Sequence, residues 1–301
     1  MPAADVEITE YTDPACAWCW GSEAKLRRLR WRFGHRLDWR VVLAGVVPES
    51  ASGRAAPLTP GSQIEGFRRI AGHTSMPSPS VLDRVLPESR TLCRVALAAF
   101  GRAPELGHEV LRRLRETIFV FGKVSHSNEE IHASLRGILG DADLWRLLVR
   151  ADSPEVASLA EQGFAAVRQP IPEVLELVEI GEGSGRAVLD DAGGARFALP
   201  TLLLRGPGGL RTVAGWKTAE TYERALLEVA PHLEHARRPD PSPAEALVRF
   251  GSLTEPELET LCGASARPPQ DAVPVATPGG PLWLDVREAR QRGLASRAQG
   301  A

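Results

Sequence analysis

Residues 11–21 read Tyr11-Thr-Asp-Pro-Ala-Cys16-Ala-Trp-Cys19-Trp-Gly21, so two cysteines lie three positions apart. Residues 6–11 are rich in β-branched side chains and predict a strand, whereas residues 16–33 carry apolar side chains at helical spacing. A Cys-X-X-Cys pair between a strand and a helix is typical of a redox-active dithiol. Because the N–H groups and dipole of a helix start stabilise an anion, Cys16 is predicted to be the reactive thiolate.

A zinc site is the main physical alternative for this cysteine spacing. The other two cysteines, Cys93 and Cys262, are isolated, and the chain has no second Cys-X-X-Cys and no His pair at ligand spacing. A structural zinc ion takes four closely spaced ligands. We therefore favour redox use over zinc or over two accidental packing cysteines, and we expect neither a metal nor a cofactor. Cys93 is predicted to pack in the core.

The composition describes an ordinary globular protein. The chain has 301 residues, of which 43% are hydrophobic and 25% charged, with a net charge of -2. Arginine clusters at 27–32 and 112–115 alternate with apolar residues, which predicts solvated helix faces and no nucleic-acid partner. No apolar run approaches the ~18 residues of a membrane span, and the first ten residues do not resemble a signal peptide. We therefore expect a cytoplasmic protein without a membrane partner.

The pattern along the chain predicts an α/β fold. Residues 37–47 form the next strand, parallel to the first through a right-handed βαβ unit, and 48–60 form a loop. Strands at 197–204 and 210–213 form a hairpin, and a helix follows at 217–233. Residues 168–194 match no regular element. Between the loop and that segment, amphipathic helices are predicted at 64–71, 89–100, 105–121, 128–139, 142–149 and 154–167.

A linker rich in proline begins after residue 237 and leads to a small appendage. It is predicted to contain helices at 244–250 and 255–262 and an edge strand at 281–286, with frayed residues from about 291. The expected division is a first α/β part at 1–60, an inserted helical domain at 61–168, a second α/β part at 169–236 and the appendage at 237–301.

Two motifs resemble the DsbA-like branch of the thioredoxin superfamily, especially its cytoplasmic members. They are Asp13-Pro14-Ala15-Cys16-Ala17-Trp18-Cys19-Trp20-Gly21 and Leu199-Pro200-Thr201. The resemblance covers about residues 5–236 and implies a thioredoxin-like fold with an inserted helical domain. It also implies that Cys16 attacks a partner sulfur, that Cys19 resolves the mixed disulfide, and that Pro200 is the cis-proline of this family. An ordinary trans strand-opening proline is the alternative, and we favour cis.

The resemblance suggests roles for further residues. Glu10 lies where such proteins often carry a buried acid that shuttles the proton of the second cysteine, but it also fits an edge carboxylate that faces water. The backbone at Leu199, with Thr201 beside it, is expected to bind an extended substrate segment as an added strand. Trp18 is expected to offer an apolar rim to a partner. Because Ala17 and Trp18 carry no cation, the helix start is left as the main source of thiolate stabilisation.

The predicted function is a thiol-disulfide oxidoreductase that acts on thiol- or disulfide-bearing proteins or on glutathione-like small thiols. The direction of electron flow stays open. One rival is a glutathione-dependent isomerase or kappa-class-like transferase, although those relatives typically lack both thiols. Another is a binding module similar to Clp-protease adaptors, in which the dithiol senses redox state or is idle.

Overall fold

A four-stranded sheet organises the computed structural model, which describes residues 4–46, 58–175, 187–189 and 194–294. The strands in chain order are β1 (Val6–Thr12), β2 (Leu37–Leu43), β3 (Ala187–Leu189), β4 (Ala195–Phe197), β5 (Thr201–Gly206), β6 (Gly209–Ala214), β7 (Ser252–Thr254), β8 (Val273–Val275) and β9 (Leu282–Leu284). The helices are α1 (Ala17–Phe33), α2 (Pro60–Thr74), α3 (Arg90–Phe100), α4 (Pro104–Phe119), α5 (Asn128–Ser134), α6 (Asp141–Ala151), α7 (Pro154–Val167), α8 (Pro172–Leu175), α9 (Ala219–Val229), α10 (Pro243–Phe250), α11 (Glu255–Cys262) and α12 (Val286–Gln291).

The central sheet has the strand order β2-β1-β5-β6. Strands β1 and β2 are parallel and are joined by α1, as the sequence predicts, and β5 pairs antiparallel with both β1 and β6. The buried residues of β1 alternate with partly exposed ones, which gives the strand one face fully covered. Apolar residues of α1 and α9 pack with this sheet in one cluster.

Helices α2 to α7 follow β2 and precede the β5–β6 hairpin, so the helical region is an insertion between parts of the central sheet. Several of these helices begin as the sequence predicts. Ser127 and Ser153 cap α5 and α7 by accepting hydrogen bonds from the third helical N–H. The apolar faces of the inserted helices form a second cluster that also includes Trp20 of α1.

The structure corrects several predicted element bounds. Strand β5 begins at Thr201 and not near 197, because Pro200 has no N–H for a strand ladder. Helix α9 ends at Val229 and not at 233, since Pro231 opens a 3-10 turn instead. Helix α5 ends at Ser134 rather than 139, and the chain then turns at Gly137, where φ is +90°. Strand β2 ends at Leu43 rather than at 47. The 168–194 segment, which the sequence predicts to match no regular element, contains α8 and β3. Residues 47–57, 176–186 and 190–193 of these predicted segments lie outside the described residues.

The appendage is folded and packed against the rest of the chain. Its strands form a sheet in the order β7-β9-β8, so β9 is the central strand and not the predicted edge strand. Both Leu282 and Leu284 are fully buried, which explains that position. The predicted fraying from 291 is wrong for Arg292, which forms an ion pair with buried Glu116 at 2.6 Å. Residues 295–301 lie outside the described residues.

The two arginine clusters are not the solvated helix faces that the sequence predicts. Arg27 in α1 and Arg112, Arg113 and Arg115 in α4 are each at most 5% exposed. They pair with acids that lie far away in the sequence, so helical spacing alone gave no sign of their burial. Among the described residues, no helix is long and apolar enough to span a membrane.

Candidate functional site

Cys16 is the N-cap of α1, directly after the turn that follows β1. Its sulfur accepts a hydrogen bond from the backbone N–H of Cys19 at 3.3 Å. Cys16 is partly exposed, whereas Cys19, one helical turn later, is fully buried. One thiol of the pair is therefore open to a partner, and it sits where the helix N–H groups favour an anion.

The surroundings separate the two thiols electrostatically. Hydrogen bonds from the thiol and backbone N–H of Cys19 lower the pKa of Cys16 below its usual value. Burial and the neighbouring Cys16 sulfur raise the pKa of Cys19 well above its usual value. Cys16 is therefore the thiol of the pair that loses its proton first. Cys19 stays protonated and can donate a hydrogen bond.

Asp13 organises the turn before Cys16. Its carboxylate accepts hydrogen bonds from the backbone N–H of Ala15 at 2.8 Å and of Val46 at 3.1 Å. It also accepts from the hydroxyl of Ser89 at 2.7 Å and from the thiol of Cys93 at 3.5 Å. Burial raises the pKa of Asp13, and these four hydrogen bonds oppose that rise. Cys93 is thus buried as predicted, but it also links the start of α3 to the turn before Cys16.

Arg115 of α4 is a site residue that the sequence reasoning missed. It is 2% exposed and donates hydrogen bonds to the hydroxyl of Thr12 at 2.5 Å and to the carbonyl of Asp13 at 3.4 Å. Its charge lowers the pKa of both Cys16 and Cys19. A cation does reach the dithiol, therefore, although the residues between the cysteines supply none. The buried acid Glu23 pairs with it.

Glu10 is buried, with 1% of its surface exposed, so the alternative of a water-facing edge carboxylate is wrong. It shares the covered face of β1 with Thr12, because residues two apart in a strand point the same way. The indole N–H of Trp39 donates to its carboxylate at 2.9 Å. Although burial lowers the pKa of Arg115, the charges of Glu23, Cys19 and Glu10 raise it, so Glu10 acts electrostatically on the cation of the site.

The later motif lies against the same site. The Leu199–Pro200 peptide bond is cis, as expected from the resemblance. Leu199 belongs to one apolar cluster with Cys19, and Cys16 packs against that cluster. Thr201 is fully buried, and its hydroxyl donates to the carbonyl of Ala198 at 2.5 Å. The side chain of Thr201 therefore stabilises the local loop, and only the backbone of Thr201 is left for a contact with substrate.

Trp18 is partly exposed between the two cysteines, as an apolar rim would require. Its ring lies 5.8 Å from that of His73 at the end of α2. The inserted helices thus supply part of the surface next to Cys16. Over the described residues, no group of three or more His, Cys, Asp or Glu side chains is arranged to hold a metal ion.

Comparisons with known proteins give a sequence relative and related folds. No protein-family profile matches the chain. The ClpXP adapter protein SpxH of Shouchella clausii is 27% identical over 205 residues, which are 66% of this chain and 66% of that protein. The alignment thus spans slightly less than two thirds of the relative's length.

Two solved structures share the architecture. A putative protein disulfide isomerase from Nitrosomonas europaea superposes with a TM-score of 0.51 at 16% identity, over 77% of this chain and 98% of the other. The cytosolic disulfide reductase DsbM from Pseudomonas aeruginosa gives a TM-score of 0.50 at 17% identity, over 76% and 97%. Sequence identities this low establish the fold alone. The chain therefore has the DsbA-like thioredoxin fold that its two motifs predict, extended by a C-terminal appendage.

Proposed function

We propose that this chain is a thiol-disulfide oxidoreductase in which Cys16 is the nucleophile and Cys19 the resolving thiol. The observation that carries this proposal is the asymmetry of the pair. Cys16 is accessible at a helix start with a lowered pKa, whereas Cys19 is buried with a raised one. This is the arrangement that sequential attack and release require.

In the reducing direction, the Cys16 thiolate attacks one sulfur of a partner disulfide and forms a mixed disulfide. The second partner sulfur leaves as a thiolate and takes up a proton. Cys19 then loses its proton, attacks the Cys16 sulfur and releases the partner, so two electrons pass to the partner disulfide. The same steps in reverse oxidise a partner dithiol.

Further residues have proposed roles in this cycle. Glu10 is the proposed proton acceptor for Cys19, because it is buried on the same face of β1 as Thr12. The backbone beside Pro200 and the side chains of Leu199 and Trp18 are the proposed contacts for an extended partner segment. The proposed partners are proteins with exposed thiols or disulfides and small thiols of the glutathione type. The proposed compartment is the cytoplasm, where the similarly folded DsbM is described as acting.

Insulin reduction by the intact chain tests the proposal. Wild type is expected to precipitate insulin chains with dithiothreitol as the reductant, Cys16→Ser to be inactive, and Cys19→Ser to accumulate a mixed disulfide on Cys16. Cys262→Ser is the matched control, because it removes a thiol of the appendage only. Equal inactivity of wild type and Cys16→Ser would contradict the proposal.

The 27% identity to an adapter protein supports a second candidate function, a redox-sensitive binding module. In that case the partner binds without exchanging sulfur bonds. The insulin assay separates the two candidates, since an adaptor needs no turnover of the dithiol.

A further inference from the structure

Helix α4 of the insertion delivers a buried cation to the segment that precedes the dithiol. The guanidinium of Arg115 donates to the Thr12 hydroxyl and to the Asp13 carbonyl, which are the last residues before the active-site turn. Arg115 is 103 positions from Thr12 in the chain, so only the tertiary packing of the insertion brings them together.

The Thr12 hydroxyl connects this cation to the resolving sulfur. A threonine hydroxyl has one proton and two lone pairs. Since Thr12 accepts a hydrogen bond from Arg115, its own proton is available for another acceptor, and the Thr12 side chain lowers the pKa of the Cys19 thiol by hydrogen bonding. A chain of donors thus runs from the guanidinium through the hydroxyl to the Cys19 sulfur.

The charge of Arg115 is only partly compensated. Its acid partner, Glu23, is shared with Arg27 at 3.4 Å and Arg30 at 3.3 Å. In addition, the buried Nε of Arg115 has no hydrogen-bond partner among the described protein atoms.

We propose that Arg115 is a positioning residue for the resolving step, where it stabilises the Cys19 thiolate through the hydroxyl of Thr12. The inference rests on the proposed function. In this step Cys19 gives up its proton, its sulfur bonds to the Cys16 sulfur, and the bond from Cys16 to the partner breaks so that the partner leaves as a thiolate. The negative charge on Cys19 exists only between the first and second of these events.

The other charged and titratable groups around Cys19 act in the opposite direction or stay neutral. The Cys16 sulfur of α1 raises the pKa of Cys19, and Asp13 in the turn after β1 raises the pKa of Cys16. Glu10 of β1 acts on Arg115 and Tyr222. Negative charges near the dithiol oppose a second thiolate. Helix α9 contributes Tyr222, whose pKa burial raises. Arg115 is therefore the group that offsets this negative field.

Ellman's reagent separates attack from resolution, because the reduced dithiol releases one coloured thiolate when Cys16 attacks the reagent. It releases a second when Cys19 bonds to the Cys16 sulfur and displaces the aryl thiolate held there. Stopped-flow traces of the intact protein between pH 6 and 11 give a pH profile for each phase, and the range extends above the usual thiol pKa because that of Cys19 is raised. The matched variants are Thr12→Val, which loses the hydroxyl at nearly constant volume, and Thr12→Ser, which keeps it.

Thr12→Val is expected to move the midpoint of the second phase up by about one pH unit, with a smaller change in the first. At neutral pH the second phase should slow about three- to fourfold rather than tenfold, because a thiolate of higher pKa is intrinsically more nucleophilic. Thr12→Ser should keep the wild-type profile. Arg115→Met combined with Glu23→Gln, which leaves no unpaired buried acid, should shift the midpoint in the same direction as Thr12→Val.

Arg27→Gln is the control for a general loss of charge, since it removes another arginine that pairs with Glu23 but leaves Thr12 unchanged. Both phases of its reaction with Ellman's reagent should match those of the wild type. An unshifted second phase in Thr12→Val would overturn the proposal, as would an equal shift in Arg27→Gln. The readout is independent of the physiological activity. A wild type that fails to reduce insulin but releases both thiolates refutes the proposed function and still tests the role of Arg115.

Discussion

At the scale of single residues, each of the four cysteines has a different environment. Cys16 caps a helix and is partly exposed, and Cys19 is buried beside Thr12. Cys93 is buried against Asp13, and burial raises its pKa well above the usual value. Burial also raises the pKa of the partly exposed Cys262 to about 11. Access and thiolate fraction therefore both favour Cys16 as the reactive sulfur.

Alkylation of the reduced native protein should reach Cys16 first and Cys262 later. Because iodoacetamide reacts with the thiolate, the rate rises as pH increases through the thiol pKa. Because the pKa of Cys16 is lowered, its alkylation rate should rise at a lower pH than that of a free cysteine. Cys262 should react only as pH approaches about 11. Peptide mass spectrometry checks the order of labelling. Labelling of Cys262 ahead of Cys16 at neutral pH would contradict it, and Cys93 should react only after denaturation.

At the scale of elements, the position of α1 depends on a close crossing with α2. A Cβ atom added to Gly21 would lie 2.4 Å from Cγ2 of Thr74, so the last residue of the Asp13–Gly21 motif packs directly against the insertion. Trp20, beside it, donates its indole N–H to the carbonyl of Pro77 at 2.8 Å. The helix that presents Cys16 is thus fixed by contacts with the helical insertion as well as by the sheet.

Gly21→Ala should lower the free energy of unfolding by about 1–3 kcal/mol, because the added methyl group overpacks the α1–α2 crossing. The matched control is Gly34→Ala at the other end of α1, where an added Cβ meets nothing within 4 Å. That control is expected to be neutral or slightly stabilising, since alanine loses less backbone entropy on folding. Urea denaturation of both variants measures the difference, and equal effects would show that the crossing tolerates a side chain.

At the scale of the whole molecule, a buried network of ion pairs joins the appendage to the helices that hold the dithiol. Glu257 of α11 pairs with Arg27 of α1 at 3.0 Å and with Arg112 of α4 at 2.8 Å. Although burial favours protonation, Arg292 and Arg112 hold the pKa of Glu116 far below its usual range. Since α4 also carries Arg115, the appendage braces the helix that contacts the segment before the dithiol.

Glu257→Gln should lower the free energy of unfolding by about 3 kcal/mol, because it leaves two buried arginines short of an acid. Glu259→Gln in the same helix is the control, since this side chain is exposed and its change should stay within about 0.5 kcal/mol. Urea denaturation measures the free energy of unfolding of both variants. Limited proteolysis of the native proteins at the 237–242 linker shows whether the appendage stays in place. If Glu257→Gln were as stable as the control, the network would not hold the appendage in place.

The sequence by itself determined the parts of this protein that depend on local pattern. The β1–α1–β2 unit, the Cys16–Cys19 pair at its helix start and the insertion follow from periodicity, capping residues and two motifs. The tertiary structure alone decided how charges are paired at a distance. Arg115, Glu23 and Glu257 look like solvated helix residues by their spacing, yet packing buries each of them against an opposite charge from another element. A buried ion pair between elements far apart in the chain leaves no periodic trace, which is why the cation at the dithiol and the docking of the appendage were visible only in the fold.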